Sequence, residues 1–399
     1  MAEGLTPQPL PRITPDDIPG LALDMARSGL ALMLYGAPGI GKTSIFQALG
    51  HDLGLRASAE ARSGFSLPEL PVVTLSAPEL NVEDLMGVPT VEELVRRKAD
   101  GTELSHKVTR WALPAQLDPH RPFILFIDEP NRCEAGVRNA LFQLITGRTT
   151  SGGFALPPGS LVCMAGNRLE DRAGVRTLDT AFNNRCGHFE LMVEPEAWLA
   201  WAGTQPGFSG LVRAFIAAHP NYLHRFEAAS AVPQQPTPRT WTALALALGD
   251  RVPKDAVLAH GLVGAEAARL FMAFAQHAGI VPSVQDLADR PGDIPLPEPG
   301  QLDAAWILAT SMADHLVSPS QGSKDRLGHA VGLVLGRLAD RGFEEVAVFS
   351  LRRAWRRIER EAGSTTLPFD RRLFQAIPAL AARPSFQQLL EAIDQVGAR

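Results

Sequence analysis

Short runs of consecutive apolar residues recur through the first half of the chain, each bounded by turn-forming residues. Leu30–Tyr35, Val72–Leu75, Phe123–Ile127, Leu161–Ala165 and His188–Leu191 read as strands. The unbroken apolar runs among them predict strands buried on both faces, as in a parallel sheet. Between them lie helical patterns: Asp16–Gly29, Thr43–Leu49, Glu134–Ile145 with Val137, Leu141 and Leu144 on one face, and Leu178–Arg185. His51–Pro71 is mixed and reads as loop. Residues 90–110 are strongly charged, with a turn signal at Asp100-Gly101, and predict a hairpin projecting from the core; Gly147–Pro158 predicts a second hairpin around Gly152-Gly153. From Pro195 onward helices dominate. Prolines at 233, 236 and 238 mark a loop before a helix over Thr240–Leu248, and Pro291–Gly300 marks a further break. The pattern predicts an α/β fold, a parallel sheet flanked by helices and followed by helical segments. The expected divisions are an N-terminal arm over 1–15, an α/β core over 16–193, a helical region over 194–290 and a C-terminal helical region over 291–399.

Near the C-terminus, Phe343, Ala347, Leu351, Trp355 and Ile358 form an apolar stripe at helical spacing. Arg352, Arg353, Arg356, Arg357 and Arg360 crowd the remainder. A solvated face is the simpler reading, and a docking patch for an acidic partner is the alternative.

Composition narrows the class without naming a reaction. In 399 residues, 45% apolar and 20% charged content suits a core-forming globular chain of two or three domains. The net charge of −5 argues against a general nucleic-acid binder. The three cysteines, Cys133, Cys163 and Cys186, are scattered and odd in number, which fits a reduced compartment and a cytoplasmic protein. No apolar run approaches the ~20 residues of a membrane helix, and no secretory signal pattern is expected.

Chemistry concentrates where the strands end. Gly36-Ala37-Pro38-Gly39-Ile40-Gly41-Lys42-Thr43 follows the first strand and fits G-x-x-x-x-G-K-[ST], the phosphate-binding loop. Glycines let backbone N–H groups converge on one point, and the next helix adds its positive end. Lys42 would reach the β- and γ-phosphates, and the Thr43 hydroxyl would hold Mg²⁺, with Ser44 beside it. Asp128 and Glu129 end the strand Phe123–Ile127. Asp128 would hold Mg²⁺ through water, and Glu129 would polarise an attacking water. Asn167, after the strand Leu161–Ala165, falls beside the same tips. Locally it reads equally as a turn cap or as an amide that orients the water.

The order of these motifs resembles the AAA+ ATPases, and within them the MoxR-like branch that includes the CbbQ and NorQ activators. The resemblance covers about residues 20–250. It implies a P-loop NTPase core, with Gly36–Thr43 as Walker A, Phe123–Glu129 as Walker B and Asn167 as the sensor-one residue. Arg185, in Leu178-Asp179-Thr180-Ala181-Phe182-Asn183-Asn184-Arg185, matches the segment L-x-x-A-x-x-[DN]-R and so the arginine finger. A cation closing a helix is the alternative for Arg185, and Arg172 and Arg176 compete for the same role. Arg239, in Thr237-Pro238-Arg239, resembles the sensor-two Arg of the helical lid. Asp84–Gly87 resembles the start of the helix-two insert, and Thr149–Pro157 the hairpin before sensor one. Arg168 departs from the pattern, standing where many relatives have Pro. The resemblance implies ATP and Mg²⁺ as ligands and a homo-hexameric ring with ATP between subunits. It further implies a von Willebrand A domain partner, and a client protein or metalloenzyme acted on by a remodelling chaperone. A membrane or nucleic-acid partner is not implied. Three alternatives stand beside it. Guanine-specific switches carry D-x-x-G and N-K-x-D, but here Asp128 is followed by Glu-Pro-Asn, and Asn167-Arg168-Leu169-Glu170 fits poorly. A nucleotide-bound assembly scaffold and a DNA-stimulated motor are the others.

Overall fold

The computed structural model describes residues 9–60, 70–99, 103–118, 120–171, 178–229, 234–317, 324–362, 383–384 and 386–388. The chain divides into two compact units, Met1–Met192 and Val193–Arg399.

The first unit follows the order β1 (Arg12–Ile13), α1 (Ile18–Arg27), β2 (Ala31–Tyr35), α2 (Lys42–Glu60), β3 (Val72–Ser76), α3 (Glu83–Met86), β4 (Val88–Arg97) and β5 (Glu103–Ala112). It continues with β6 (Ile124–Asp128), α4 (Ala135–Gly147), β7 (Leu161–Gly166), α5 (Thr180–Asn183) and β8 (Cys186–Leu191). Six strands form one parallel sheet in the order β1-β8-β2-β7-β6-β3. The apolar runs are its centre: Leu32, Met33, Leu34, Ile124–Ile127 and Cys163–Ala165 are fully buried. The P-loop α/β class with a helical C-terminal region is the observed fold.

The chain departs from its sequence reading at α2, which continues through residues expected to be loop and reaches Glu60. Glycine costs a helix interior about 1 kcal/mol relative to alanine, and Gly50 lies inside this helix. Here a Cβ on Gly50 would lie 2.1 Å from the carbonyl oxygen of Leu70, so glycine admits the chain entering β3. The segment 178–185 is helical only over Thr180–Asn183, capped by Asp179, whose side chain accepts a 2.7 Å bond from the Phe182 N–H.

Strands β4 and β5 pair antiparallel from Val88↔Ala112 to Arg97↔Glu103; the turn expected at Asp100-Gly101 lies outside the described residues. The ribbon is exposed along nearly its whole length, with Val88, Val91, Val95 and Leu104 open to solvent. A lone ribbon is marginal in water. Its base is braced by backbone packing: Cβ atoms on Gly87 and Gly152 would meet the carbonyls of Ala112 and Met86 at 2.1 and 1.9 Å. Gly152 belongs to the loop closed by the Thr149–Ala155 bridge, the second expected hairpin. Trp111, half-buried in β5, lies against it.

The second unit is helical: α6 (Pro195–Thr204), α7 (Gly210–Ala218), α8 (Pro238–Leu248), α9 (Val257–Val263), α10 (Ala265–Ala275), α11 (Val284–Asp289), α12 (Leu302–Val317), α13 (Lys324–Leu338) and α14 (Glu344–Ala362). Helices α12 and α14, beyond the Pro291–Gly300 break, pack on α7 and α6, before it. Phe215 centres an aromatic cluster, 5.1 Å from Trp241 and 5.5 Å from both Phe271 and Phe274 between ring centroids. Of the arginines read as a solvated face, Arg353 departs from that reading, while the side chains of Arg356, Arg357 and Arg360 lie outside the described residues. Arg353 is buried, with its guanidinium 3.8 Å from Asp314, which also pairs with Arg213. The buried stripe of α14 takes in Val346, Ser350 and Ala354, wider than the apolar residues alone indicate. Arg352 is exposed and pairs with Glu196 at 2.8 Å.

Among the described residues no helix is long and apolar enough to cross a membrane. All three cysteines are buried and none is in a disulfide. Burial pushes the Cys163 and Cys186 thiols up to about 12. Phe215→Ala is expected to destabilise the chain by about 3–5 kcal/mol, because the rings around the cavity cannot collapse into it. Denaturant unfolding checks this; a loss under about 1 kcal/mol would contradict the packing described.

Candidate functional site

The site begins with strand order. Strand β7 lies between β2 and β6, in register Tyr35↔Gly166 and Asp128↔Ala165, so three carboxyl ends finish level. In open parallel sheets this edge binds ligands. The phosphate loop leaves β2, Asp128 and Glu129 end β6, and Asn167 follows β7.

The loop curls through Gly39 and Gly41, at φ +76° and +94°, conformations that glycine adopts without a Cβ clash. At Gly36 a Cβ would fall 2.5 Å from Ile40 Cδ1. Lys42 opens α2 and is buried at 8% exposure. Its ammonium donates to the carbonyls of Gly36 (2.7 Å) and Ala37 (2.9 Å) and to Asn167 Oδ1 (3.0 Å). Thr43 donates its hydroxyl to Asp128 Oδ2 at 2.6 Å. Pro38, Ile40 and Ser44 complete the loop and the first turn of α2.

Glu129 is left-handed, at φ +55° and ψ +48°, a conformation that costs a non-glycine residue about 1–3 kcal/mol. Its N–H still bonds Ala165 O at 2.7 Å, so the ladder with β7 persists to the turn. Its Oε1 accepts from Asn167 Nδ2 at 2.9 Å. The orientation of the Asn167 amide is dictated by its neighbours: an ammonium only donates and must face Oδ1, whereas a carboxylate only accepts and must face Nδ2. Lys42, Asn167 and Glu129 thus form one continuous string.

Two partners of this string carried no family signature in the sequence. Asn131, 4% exposed, donates from Nδ2 to the Asn167 carbonyl at 3.0 Å. Arg132 Nη1 donates to Glu129 Oε2 at 2.6 Å. The available signal was the i,i+3 spacing across a turn set by Pro130. Arg168, the departure from the family pattern, also has a physical account. Its guanidinium binds Asp171, whose side chain is 2% exposed, and Glu190 at 2.9 Å. The Asp171 bond above all, with Glu190, raises its pKa against the pull of burial. Next to β8, Tyr35 stacks on His188, and burial, with Cys186 adding, pushes its phenol up to about 12.

Other expected residues lie elsewhere. Arg185 is exposed, and its carbonyl accepts from Ala31 N at 3.0 Å. That puts it at the opposite, amino-terminal edge of the sheet, about 16 Å from the strand tips at ~3.3 Å per residue. Among the described residues it has no ion-pair partner. Arg172 and Arg176 lie outside the described residues. Arg239, in the second unit, is exposed in the first turn of α8. Thr237 caps that helix and Pro238 opens it, with Thr240 N bonded to Thr237 Oγ1 at 3.2 Å and Thr237 N to Thr240 Oγ1 at 2.9 Å.

The donor set suits a triphosphate and a hard cation. Among the described residues no group of three or more His, Cys, Asp or Glu forms a protein-only cage. Thr43 and Asp128 place two adjacent oxygens at the loop, a donor set that would fit Mg²⁺ if phosphate and water supplied the remaining ligands.

Residues 32–194 match the family model described as ATPase family associated with various cellular activities (AAA). The match spans most of the parallel sheet, the phosphate loop and the acidic strand end, and it supports a nucleotide-binding ATPase of this general class. No curated protein matches the chain. Among solved structures it is similar to a RuvB mutant from Thermotoga maritima, at 18% identity and a TM-score of 0.32, over 77% of this chain and 84% of that one. It is also similar to NtrX from Brucella abortus in complex with ADP, at 16% identity and a TM-score of 0.28, over 95% of this chain and 68% of that one. At these scores neither likeness carries an argument of its own.

Thr43→Val removes the hydroxyl from the Thr43–Asp128 pair while keeping the side-chain volume. Its expected effect is to weaken Mg²⁺-dependent ATP binding by about tenfold or more, with metal-free binding little changed. Titration of a fluorescent ATP analogue with and without Mg²⁺ checks this.

Proposed function

We propose that this chain hydrolyses ATP and works as a MoxR-like remodelling ATPase, in a ring of identical subunits. The observation that carries the catalytic reading is the string Lys42–Asn167–Glu129 at three level strand tips. Lys42 now spends its charge on the carbonyls of Gly36 and Ala37 and on Asn167, so a γ-phosphate would replace these partners with a stronger, oppositely charged one. Glu129 takes a proton from the attacking water, and Asn167 orients that water beside it. Thr43 and Asp128 would hold Mg²⁺, which would supply neutralisation of charge on the phosphates. The reaction is ATP and water to ADP and phosphate.

The ring reading is supported by the place of Arg185. At the far edge of its own sheet, exposed and without an ion pair among the described residues, it is spare in its own subunit and available to a neighbour's γ-phosphate. Arg239 at the start of α8 is the residue proposed to sense nucleotide from the helical lid. The MoxR-type assignment rests on the motif order and on the β4–β5 ribbon and Thr149–Ala155 loop, which are proposed to carry motion to a client protein. A homo-hexamer, a von Willebrand A domain partner, a metalloenzyme client and a cytoplasmic location belong to the same proposal. So do the division of 194–290 as lid and 291–399 as a further helical region. The non-enzymatic scaffold is the competing reading, and Glu129 separates the two.

Glu129→Gln is expected to lower turnover by about 10²–10⁴-fold with ATP binding retained. Full turnover in this variant would leave only the scaffold. Arg185→Ala is expected to cost about 10³-fold or more. Mixing Arg185→Ala with Glu129→Gln subunits should restore turnover, since one supplies the guanidinium and the other the base. No restoration on mixing would remove the ring mechanism.

A further inference from the structure

The Glu129 carboxylate is held at both oxygens, and the second holder has no role in the mechanism above. Asn167 donates to Oε1 at 2.9 Å and Arg132 to Oε2 at 2.6 Å. We infer that Arg132 is a positioning residue for the general base, fixing the Glu129 carboxylate so that the oxygen facing the nucleotide keeps one orientation through turnover. The inference rests on the assignment of Glu129 as base.

The backbone supports it. Glu129 closes β6 in a left-handed conformation, and Pro130–Arg132 follows as a single tight turn. The Arg132 N–H bonds the Glu129 carbonyl at 2.9 Å, so the turn is closed on itself. Pro130 and Asn131 within it are buried, and Asn131 ties it to the Asn167 carbonyl. At Gly166, ahead of Asn167, a Cβ would fall 2.8 Å from Asn131 Oδ1, so the turn and the β7 tip fit only with glycine there. The guanidinium therefore springs from a fixed base. Asn167 alone leaves the carboxylate free to pivot about one bond, whereas two donors on separate elements remove that freedom. Arg132 is itself partly exposed, with 41% of its side chain accessible. The ion pair accordingly adds little to folding, and its value lies in orientation. A lysine at 132 would offer one charged donor to the same oxygen without the planar fork.

The test is steady-state ATP turnover of the full chain for wild type, Glu129→Gln, Arg132→Ala and Arg132→Lys, together with nucleotide affinity and thermal midpoint. Arg132→Ala is expected to lower kcat about tenfold, with KM within twofold and the midpoint near that of wild type. Arg132→Lys is expected to recover at least half of that loss on a logarithmic scale. The inference is overturned if Arg132→Ala leaves kcat unchanged, if its loss appears in KM or in the midpoint, or if lysine restores nothing. Where Glu129→Gln abolishes turnover and Arg132→Ala does not change it, the base assignment stands and the positioning role alone fails. Where Glu129→Gln turns over normally, both fall.

Discussion

The structure of the site depends on the Asn167 amide, which presents an acceptor to the loop's lysine and a donor to the carboxylate of the neighbouring strand. The ammonium can only donate and the carboxylate can only accept. An amide between them satisfies both and keeps them apart. This works only because β7 sits between β2 and β6 with the three tips level. Strand order, a property of the whole sheet, thereby sets a contact between residues 125 positions apart.

The same logic explains which small residues the sheet edge requires. Gly36 and Gly166 face each other across the first rungs beyond the strands, with Gly36 N bonded to Gly166 O at 3.3 Å. A Cβ at Gly36 would strike Ile40 Cδ1, and one at Gly166 would crowd Asn131 Oδ1, so either would force a neighbouring side chain to move. Bulky apolar residues fill the strand centres. Phe46 of α2 stacks on Phe126 of β6 at 4.5 Å and fixes the helix whose first residue is Lys42. The position of one ammonium thus traces back to an aromatic contact deep in the core.

Much of this was legible in the chain because the informative patterns are local. A G-x-x-x-x-G-K-T after an apolar run, and two acids after another, announce strand ends and their chemistry within a few residues. Less was legible where meaning depends on a distant neighbour. The stretch after Leu49 read as loop, because only the fold brings the Leu70 carbonyl against Gly50 of the continuing helix. Arg353 looked solvated because its counter-charge, Asp314, lies on another helix. Arg132 carries no signal of its own because a cation three residues after an acid is common; here the spacing follows a left-handed Glu129 and closes into a bond on its carboxylate. Arg168 read as a departure from a family pattern, whereas its partners Asp171 and Glu190 make it a structural cation.

Arg168 and Arg185 show how alike residues near one strand diverge by environment. The first is saturated by carboxylates: its bonds to Asp171 close the turn after Asn167, and its bond to Glu190 ties that turn to β8. The second, just ahead of β8, has solvent around it and a backbone committed to Ala31. A guanidinium held by three acids cannot be lent to a phosphate without stranding them, while one with no ion-pair partner among the described residues can be offered at little cost in order. A fixed backbone with an uncommitted charge is what a group acting on another molecule needs. That difference is why Arg185, and not Arg168, is the guanidinium proposed to act on another subunit.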